Sequence, residues 1–408
     1  MLKQTRVLLV LVLALLLCVA GVSSALATGF DPETGAVTGD EANPVQAAIS
    51  KVLRLPVETD VPTAIFNFIA TPVSVDGDTN RAGPALNNLS VSYPDADAIV
   101  EGPEGNVLSL VVETGNIFQG VDFPHAGIYV YTVTEAPGPN TAIDADPNQQ
   151  LTYSDAAYEL TVFVKDRADG SGRFVYALGA RITVAGEGQN AGDKVDPTPG
   201  GDQAYYFFSQ MTFVNDYVKT NPTDPEAGAS TLFVSKVVTG DFASREQMFD
   251  FSMTLTVPFI LENPPAHYRA YLVDADGSVS DTYIQVSTTV PTTFSLKHGQ
   301  RLLFFDTPVG TAYTVTETGT PNYFPSAVIT TNGAAVGIPE DAMGAPLATG
   351  ERFVGEADNS AAFRNRRNSA PITGLDLNDL PFIVLIALGL GALVTFIVVK
   401  ARKRARYS

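Results

Sequence analysis

The chain is poor in the residues that most often do chemistry or staple a fold. Among 408 residues there is one cysteine, Cys18, and no tryptophan. Cys18 falls in an apolar run near the N-terminus, so the remainder can form no disulfide. If that remainder is exported, it must resist unfolding by other means. The three histidines, His125, His267 and His298, are scattered among turn-like residues. No G-x-S-x-G and no P-loop accompanies them, which leaves no hydrolase nucleophile–base set and no phosphate cradle. Basic residues are scarce as well. Lys and Arg number 25 against 44 Asp and Glu, a net charge of −19. Between Thr28 and Thr373 the count is 18 against 42. Such a field excludes nucleic acid as a partner and suits a soluble, self-repelling surface.

Both ends carry apolar runs. "MLKQTR" is followed by "VLLVLVLALLLCVAGVSSALA", which ends in the small-x-small site Ala25-Leu26-Ala27. This reads as a secretory signal peptide over residues 1–27. A lipoprotein signal at Cys18 is the alternative, disfavoured by Leu17 where a small residue belongs. Near the C-terminus, Leu380–Val399 could just span a bilayer, and "KARKRAR" after it would stay cytoplasmic. A plain membrane anchor is one reading. Upstream, however, stands "APITG", Ala370–Gly374. Motif, apolar span and basic tail resemble the LPxTG sorting signal of Gram-positive surface proteins, with Ala in place of Leu. The resemblance implies a sorting signal over 370–408, cut by sortase between Thr373 and Gly374. Thr373 would then be joined to an amine, and membrane attachment would precede sorting only.

What lies between is rich in Thr, Val, Tyr and Phe at period two. Examples are "AYELTVFV" (157–164), "FVYALGARITV" (174–184), "FDFSMTLTV" (249–257) and "TTFSLKHGQ" (292–300). Short strands with turn signals between them predict all-β structure, two tandem β-sandwiches. Outside the termini there is no long amphipathic helical pattern. "TNPTDPEAGAS", 220–230, reads as a linker, dividing residues 28–222 from 223–369. "AGEGQNAGDKVDPTPGGDQ", 185–203, reads as a loop inside the first domain. The acidic runs at Asp76, Asp144 and Asp274 read as Asx-type turns, with calcium as the alternative. None has the twelfth-position Glu of an EF-hand, and no metal or cofactor is predicted.

One pentapeptide occurs twice. "YTVTE" spans Tyr131–Glu135 and again Tyr313–Glu317. In a strand, Tyr131, Val133 and Glu135 share one face, as do Tyr313, Val315 and Glu317. Each carboxylate therefore points at a core, where it is costly unless paired or protonated. Partners are available. Each domain is expected to begin with a strand that carries a Lys on its apolar face: Lys51 shares a face with Ile49, Leu53 and Leu55, and Lys236 with Leu232, Val234 and Val238. Asn215 lies with Met211, Phe213 and Tyr217, and Asn365 with Ala361 and Phe363. Lys…Glu…Asn thus occurs twice, in the same order, on apolar faces.

Two readings are open. The six groups could form two buried ion pairs with Asn as bystander, a costly way to hold a core. Alternatively, burial neutralises the Lys, leaving a nucleophilic amine, and keeps the Glu protonated. The Glu could then polarise the Asn carboxamide and relay protons while ammonia leaves. The product is a Lys–Asn isopeptide bond, formed once, within one chain, with no turnover enzyme activity.

With these residues in place, the chain resembles the major pilins of Gram-positive sortase-assembled pili, of the two-domain T-antigen/FctA type. The resemblance rests on Lys51, "YTVTE" and "FVN" with Asn215, then Lys236, "YTVTE" and "FRN" with Asn365. It implies Ig-like domains stacked end to end, each closed by one self-made isopeptide bond, and location at the cell surface in a pilus or the wall. It also implies a surface lysine, late in the first domain, that receives Thr373 of the next subunit. Of Lys165, Lys194, Lys219 and Lys297, Lys194 in "GDKVDPTPGG" fits best, then Lys219 in "YVKTNP". No clear "YPK" motif is present. The partners so implied are sortase, neighbouring subunits or peptidoglycan, and a host surface ligand. A wall-anchored adhesin or minor pilin that does not polymerise is the alternative.

Overall fold

Period-two burial organises the strands. In Gly127–Ala136 the side chains of Tyr129, Tyr131, Val133 and Glu135 are buried, and those between them are not. Ala312–Glu317 repeats the pattern, with Tyr313, Val315 and Glu317 inward. Two such faces pressed together make a sandwich. The computed structural model describes residues 30–31, 36–138, 140–200, 210–221, 231–368 and 380–404. The signal-peptide segment and the APITG motif with Thr373 and Gly374 lie outside the described residues.

The chain divides into two compact units. One is residues 1–220 with Pro258–Glu262; the other is 221–257 with 263–408. Each is an Ig-like β-sandwich. In the first, an eight-stranded sheet includes Arg173–Val184, Ala157–Asp166, Gly127–Ala136, Ala64–Val75 and Ser90–Tyr93 in that spatial order. It faces a five-stranded sheet ordered Ile99–Glu104, Val107–Glu113, Ser50–Pro56, Thr212–Lys219, Gln149–Thr152. In the second, a seven-stranded sheet has Leu232–Thr239 between Arg301–Phe304 and Ser360–Arg366. Its partner is a five-stranded sheet that contains Phe249–Thr256 beside Ala312–Glu317. Each unit has its own large apolar core.

Several expectations shift. Lys51 is not on the first strand of its unit, because Phe30–Asp31 and Ala36–Thr38 precede it on the facing sheet. Two- and three-residue strands are too short for periodicity to reveal. Nor does Ser50–Pro56 alternate, since Ser50 and Val52 are buried along with Lys51 and Leu53. The 185–200 segment accounts for part of this. The Ala48 N–H donates to the Pro197 carbonyl at 2.9 Å, and Arg54 reaches Glu187 at 2.5 Å. That segment is not wholly loop either: Lys194–Val195 forms a short strand against Ala180 and Arg181. The 292–300 stretch is strand only over Thr292–Leu296, after which the chain turns at Gly299 with φ of +83°. A short helix, Thr141–Asp144, interrupts the strands of the first unit.

Leu380–Arg404 is helical, and its described side chains, 384–400, are exposed and uncharged except Lys400. Among the described residues no helix is long and apolar enough to cross a membrane.

Candidate functional site

In both units the lysine strand and the asparagine strand are neighbours, and they run parallel. Lys51 pairs with Phe213, so Asn215, two residues on, lies on the same face. Lys236 pairs with Phe363, and Asn365 again lies two residues on. The register is the same. The glutamate comes from the facing sheet and closes the set across the core.

In the first unit, Lys51 Nζ lies 2.8 Å from Glu135 Oε1, and both side chains are fully buried. The contact is one of distance and not of direction, since no acceptor is aligned for a hydrogen bond from this Nζ. Asn215 Nδ2 donates to the same Oε1 at 3.0 Å. Nζ also sits 4.5 Å from the Phe66 ring centre. Burial lowers the Lys51 ammonium to about 8, against the opposing pull of Glu135. The backbone of Lys51 is fixed by Tyr93, whose hydroxyl donates to its carbonyl at 3.0 Å.

In the second unit, Lys236 Nζ donates to both Glu317 oxygens at 2.8 Å. Asn365 Nδ2 donates to Glu317 Oε1 at 2.5 Å. Burial lowers Lys236 to about 8, again against its carboxylate partner. Burial raises Glu317, and Lys236 only partly offsets this. A neutral amine beside a protonated carboxyl is thereby brought closer in free energy to the ion pair. Each Glu touches both the attacking nitrogen and the departing one, the placement a proton shuttle needs.

Aromatic rings keep each set dry. Phe68 pairs across the strand with Glu135 and packs on Phe213 at 5.0 Å. Phe251 pairs with Glu317 and packs edge-on against Phe363 at 5.2 Å. Phe249 holds its ring centre 4.2 Å from Lys236 Nζ, as Phe66 does for Lys51. The repeated F-x-F, at 66–68 and 249–251, was the available signal for these four rings.

Residues 48–218 match the family model FctA, the Spy0128-like isopeptide containing domain. This stretch is an FctA domain. Residues 230–345 match a different model, a domain of unknown function, DUF7601. The pilus tip adhesin Cpa of Streptococcus pyogenes is 29% identical over 150 residues, 35% of this chain and 18% of Cpa. The chain therefore spans under a fifth of the length of this curated relative. A solved major pilin from Streptococcus pyogenes is 21% identical, covering 80% of this chain and all of that one, with a TM-score of 0.33. The major pilin T3.2 of the same species is 21% identical over 82% of this chain and all of that one, with a TM-score of 0.30. The FctA domain contains the whole Lys51–Glu135–Asn215 set, while Asn365 falls beyond the DUF7601 match.

The remaining predicted residues lie apart from the two sets. Lys194 is exposed on its short strand, and Lys165 is exposed on Ala157–Asp166. Lys219 is half-buried and ends the asparagine strand itself, one residue beyond the FctA match. Lys297 is paired with Glu246 at 3.1 Å. Among the described residues no group of His, Cys, Asp or Glu is placed to hold a metal.

Proposed function

We propose that the chain is a structural pilus subunit of a Gram-positive bacterium, exported and joined to its neighbours by sortase. Its domains, 28–222 and 223–369, each close on themselves through an isopeptide bond, Lys51–Asn215 and Lys236–Asn365. The observation that carries this reading is the doubled Lys–Glu–Asn set at one shared parallel register, inside aromatic walls. In each reaction the neutral Nζ adds to the Asn Cγ. Glu135 or Glu317 takes a proton from Nζ and returns one to Nδ2, the Cγ–Nδ2 bond breaks, and ammonia leaves. No other reactant is needed, and enforced proximity replaces an enzyme. The chain is thus a structural protein whose only chemistry is performed once on itself.

Sortase would act at Thr373–Gly374 and transfer Thr373 to Lys194 of a neighbouring subunit, with Lys219 as second choice. The precursor would be held by Leu380–Val399 until then. The match to Cpa favours a second reading, a minor pilin or wall-anchored adhesin that joins peptidoglycan and does not polymerise.

The test is the intact mass of residues 28–373 beside Glu135→Ala and Glu317→Ala. The parent is expected two ammonia lighter than its sequence, and each variant one. A parent at its full sequence mass would reduce both sets to buried polar networks.

A further inference from the structure

The two sets differ in one respect that the sequence hides. The Ser154 backbone N–H donates to Asn215 Oδ1 at 2.9 Å and to Glu135 Oε2 at 3.0 Å. Ser154 owes this place to topology. It lies between Gln149–Thr152, which pairs with the asparagine strand, and Ala157–Asp166, which pairs with the glutamate strand. The chain crosses from one sheet to the other there and passes both acceptors. A backbone N–H can only donate, so it also selects which end of the carboxamide is oxygen. The other end, Nδ2, is then left on Glu135. In the second unit, Asn365 Oδ1 is buried without a hydrogen-bond partner among the described residues.

We propose that the Ser154 N–H is the oxyanion donor of the first isopeptide reaction, and that the second reaction runs without such a donor. The inference rests on the cross-linking chemistry proposed above. When Lys51 Nζ adds to Cγ, the new C–N bond pushes the carbonyl π pair onto Asn215 Oδ1. That oxygen carries the developing charge until the Cγ–Nδ2 bond breaks, ammonia departs and the carbonyl reforms. A fixed donor 2.9 Å from this buried oxygen, itself half-buried, stabilises that charge without reorganising. The same N–H on Glu135 Oε2 leaves Oε1 to face both nitrogens, which keeps the shuttle oriented.

The experiment removes the N–H and keeps the side chain. The full-length chain is made by cell-free synthesis with the α-hydroxy acid analogue of serine at position 154, giving an ester in place of that amide. Ser154→Ala, which keeps the N–H, is the control. Timed aliquots are quenched in acid and digested, and the Lys51–Asn215 and Lys236–Asn365 linked peptides are quantified separately by mass. The ester is expected to slow closure at Asn215 about 100-fold. Ser154→Ala should leave it within a few-fold, and closure at Asn365 should be unchanged in both. That internal site reports whether the chain folds normally. Closure at Asn215 at the parental rate in the ester chain overturns the inference while leaving the cross-link intact. Equal slowing at both sites overturns it too, as a general folding defect. Absence of either linked peptide from the parent overturns the cross-linking reading and this inference with it.

Discussion

Lys51 faces Phe213 across a parallel ladder, which sets Asn215 one pleat further along the same buried face. The second unit reproduces that offset with Lys236 and Phe363. The phenylalanine between the reacting partners is therefore part of the site. It spaces the two polar groups along the strands and presses the aromatic wall over them.

Opening one cross-link should loosen only its own unit. Asn215→Ala keeps Lys51 paired with Glu135 but cannot close. Freeing a loop of this length restores unfolded-chain entropy worth about 4–5 kcal/mol on the chain-entropy model. Denaturant unfolding of Asn215→Ala is expected to show an early transition for the first unit and an unshifted one for the second. Asn365→Ala should do the reverse, and coincident transitions in both variants would argue against separate closure.

The open variants should also be pH-sensitive where the parent is not. In the double variant Asn215→Ala, Asn365→Ala, Lys51 and Lys236 stand at about 8 when folded, against 10.5 for a free lysine. Between those values the unfolded chain holds protons that the folded chain lacks, so stability rises with pH across that window. Below about 8 both states are protonated and the penalty is fully present. The gain is of order 3 kcal/mol per lysine. Glu317, raised by burial, works the other way: stability falls as pH climbs from its ordinary value to its raised one. If both lysines of the parent are closed as amides, as proposed, the alkaline rise should vanish there. Melts at about pH 8 and pH 10 on both proteins decide this.

The aromatic walls should matter to rate as well as to packing. Phe68→Ala and Phe251→Ala each remove a buried ring beside a glutamate, at a cost of about 3–5 kcal/mol. Admitting water restores the lysine charge, so slower ammonia loss is expected at the affected site alone. Phe68→Leu, which refills most of the volume, should recover much of the rate. Closure at the parental rate in Phe68→Ala would show that dryness is not required.

Polymerisation gives an independent readout. Cells making the parent should yield an SDS-resistant ladder after wall digestion. Thr373→Ala should abolish it, and Lys194→Arg should collapse it to one species while leaving both internal links in place. A ladder that survives Lys194→Arg and disappears with Lys219→Arg would move the acceptor. A parent that runs as one species would favour the adhesin reading.

The six polar residues could be read before any coordinates because a charged or amide group at apolar parity violates period two. The strand register could not, since pairing depends on tertiary assembly. Phe66, Phe68, Phe249 and Phe251 escaped notice because aromatics in strands are ordinary core. Ser154 was out of reach for a different reason. What it contributes is a backbone N–H, which every residue but proline carries, so no side-chain pattern can mark it. The strands Phe30–Asp31 and Ala36–Thr38, two and three residues long, are too short for an alternation to repeat.

Parallel adjacency of the lysine and asparagine strands also decides how each unit meets a load. The N-terminal end of one strand and the C-terminal end of its parallel neighbour lie at opposite ends of the sheet. A pull on the N-terminal end of one of these strands and the C-terminal end of the other therefore slides them past one another in shear and does not unzip them rung by rung. Every rung between Thr212–Ser50 and Asp216–Arg54, or between Ser360–Phe233 and Arg366–Thr239, bears the force together. The two strands thus have a geometry that fails late under load even without a covalent link between them.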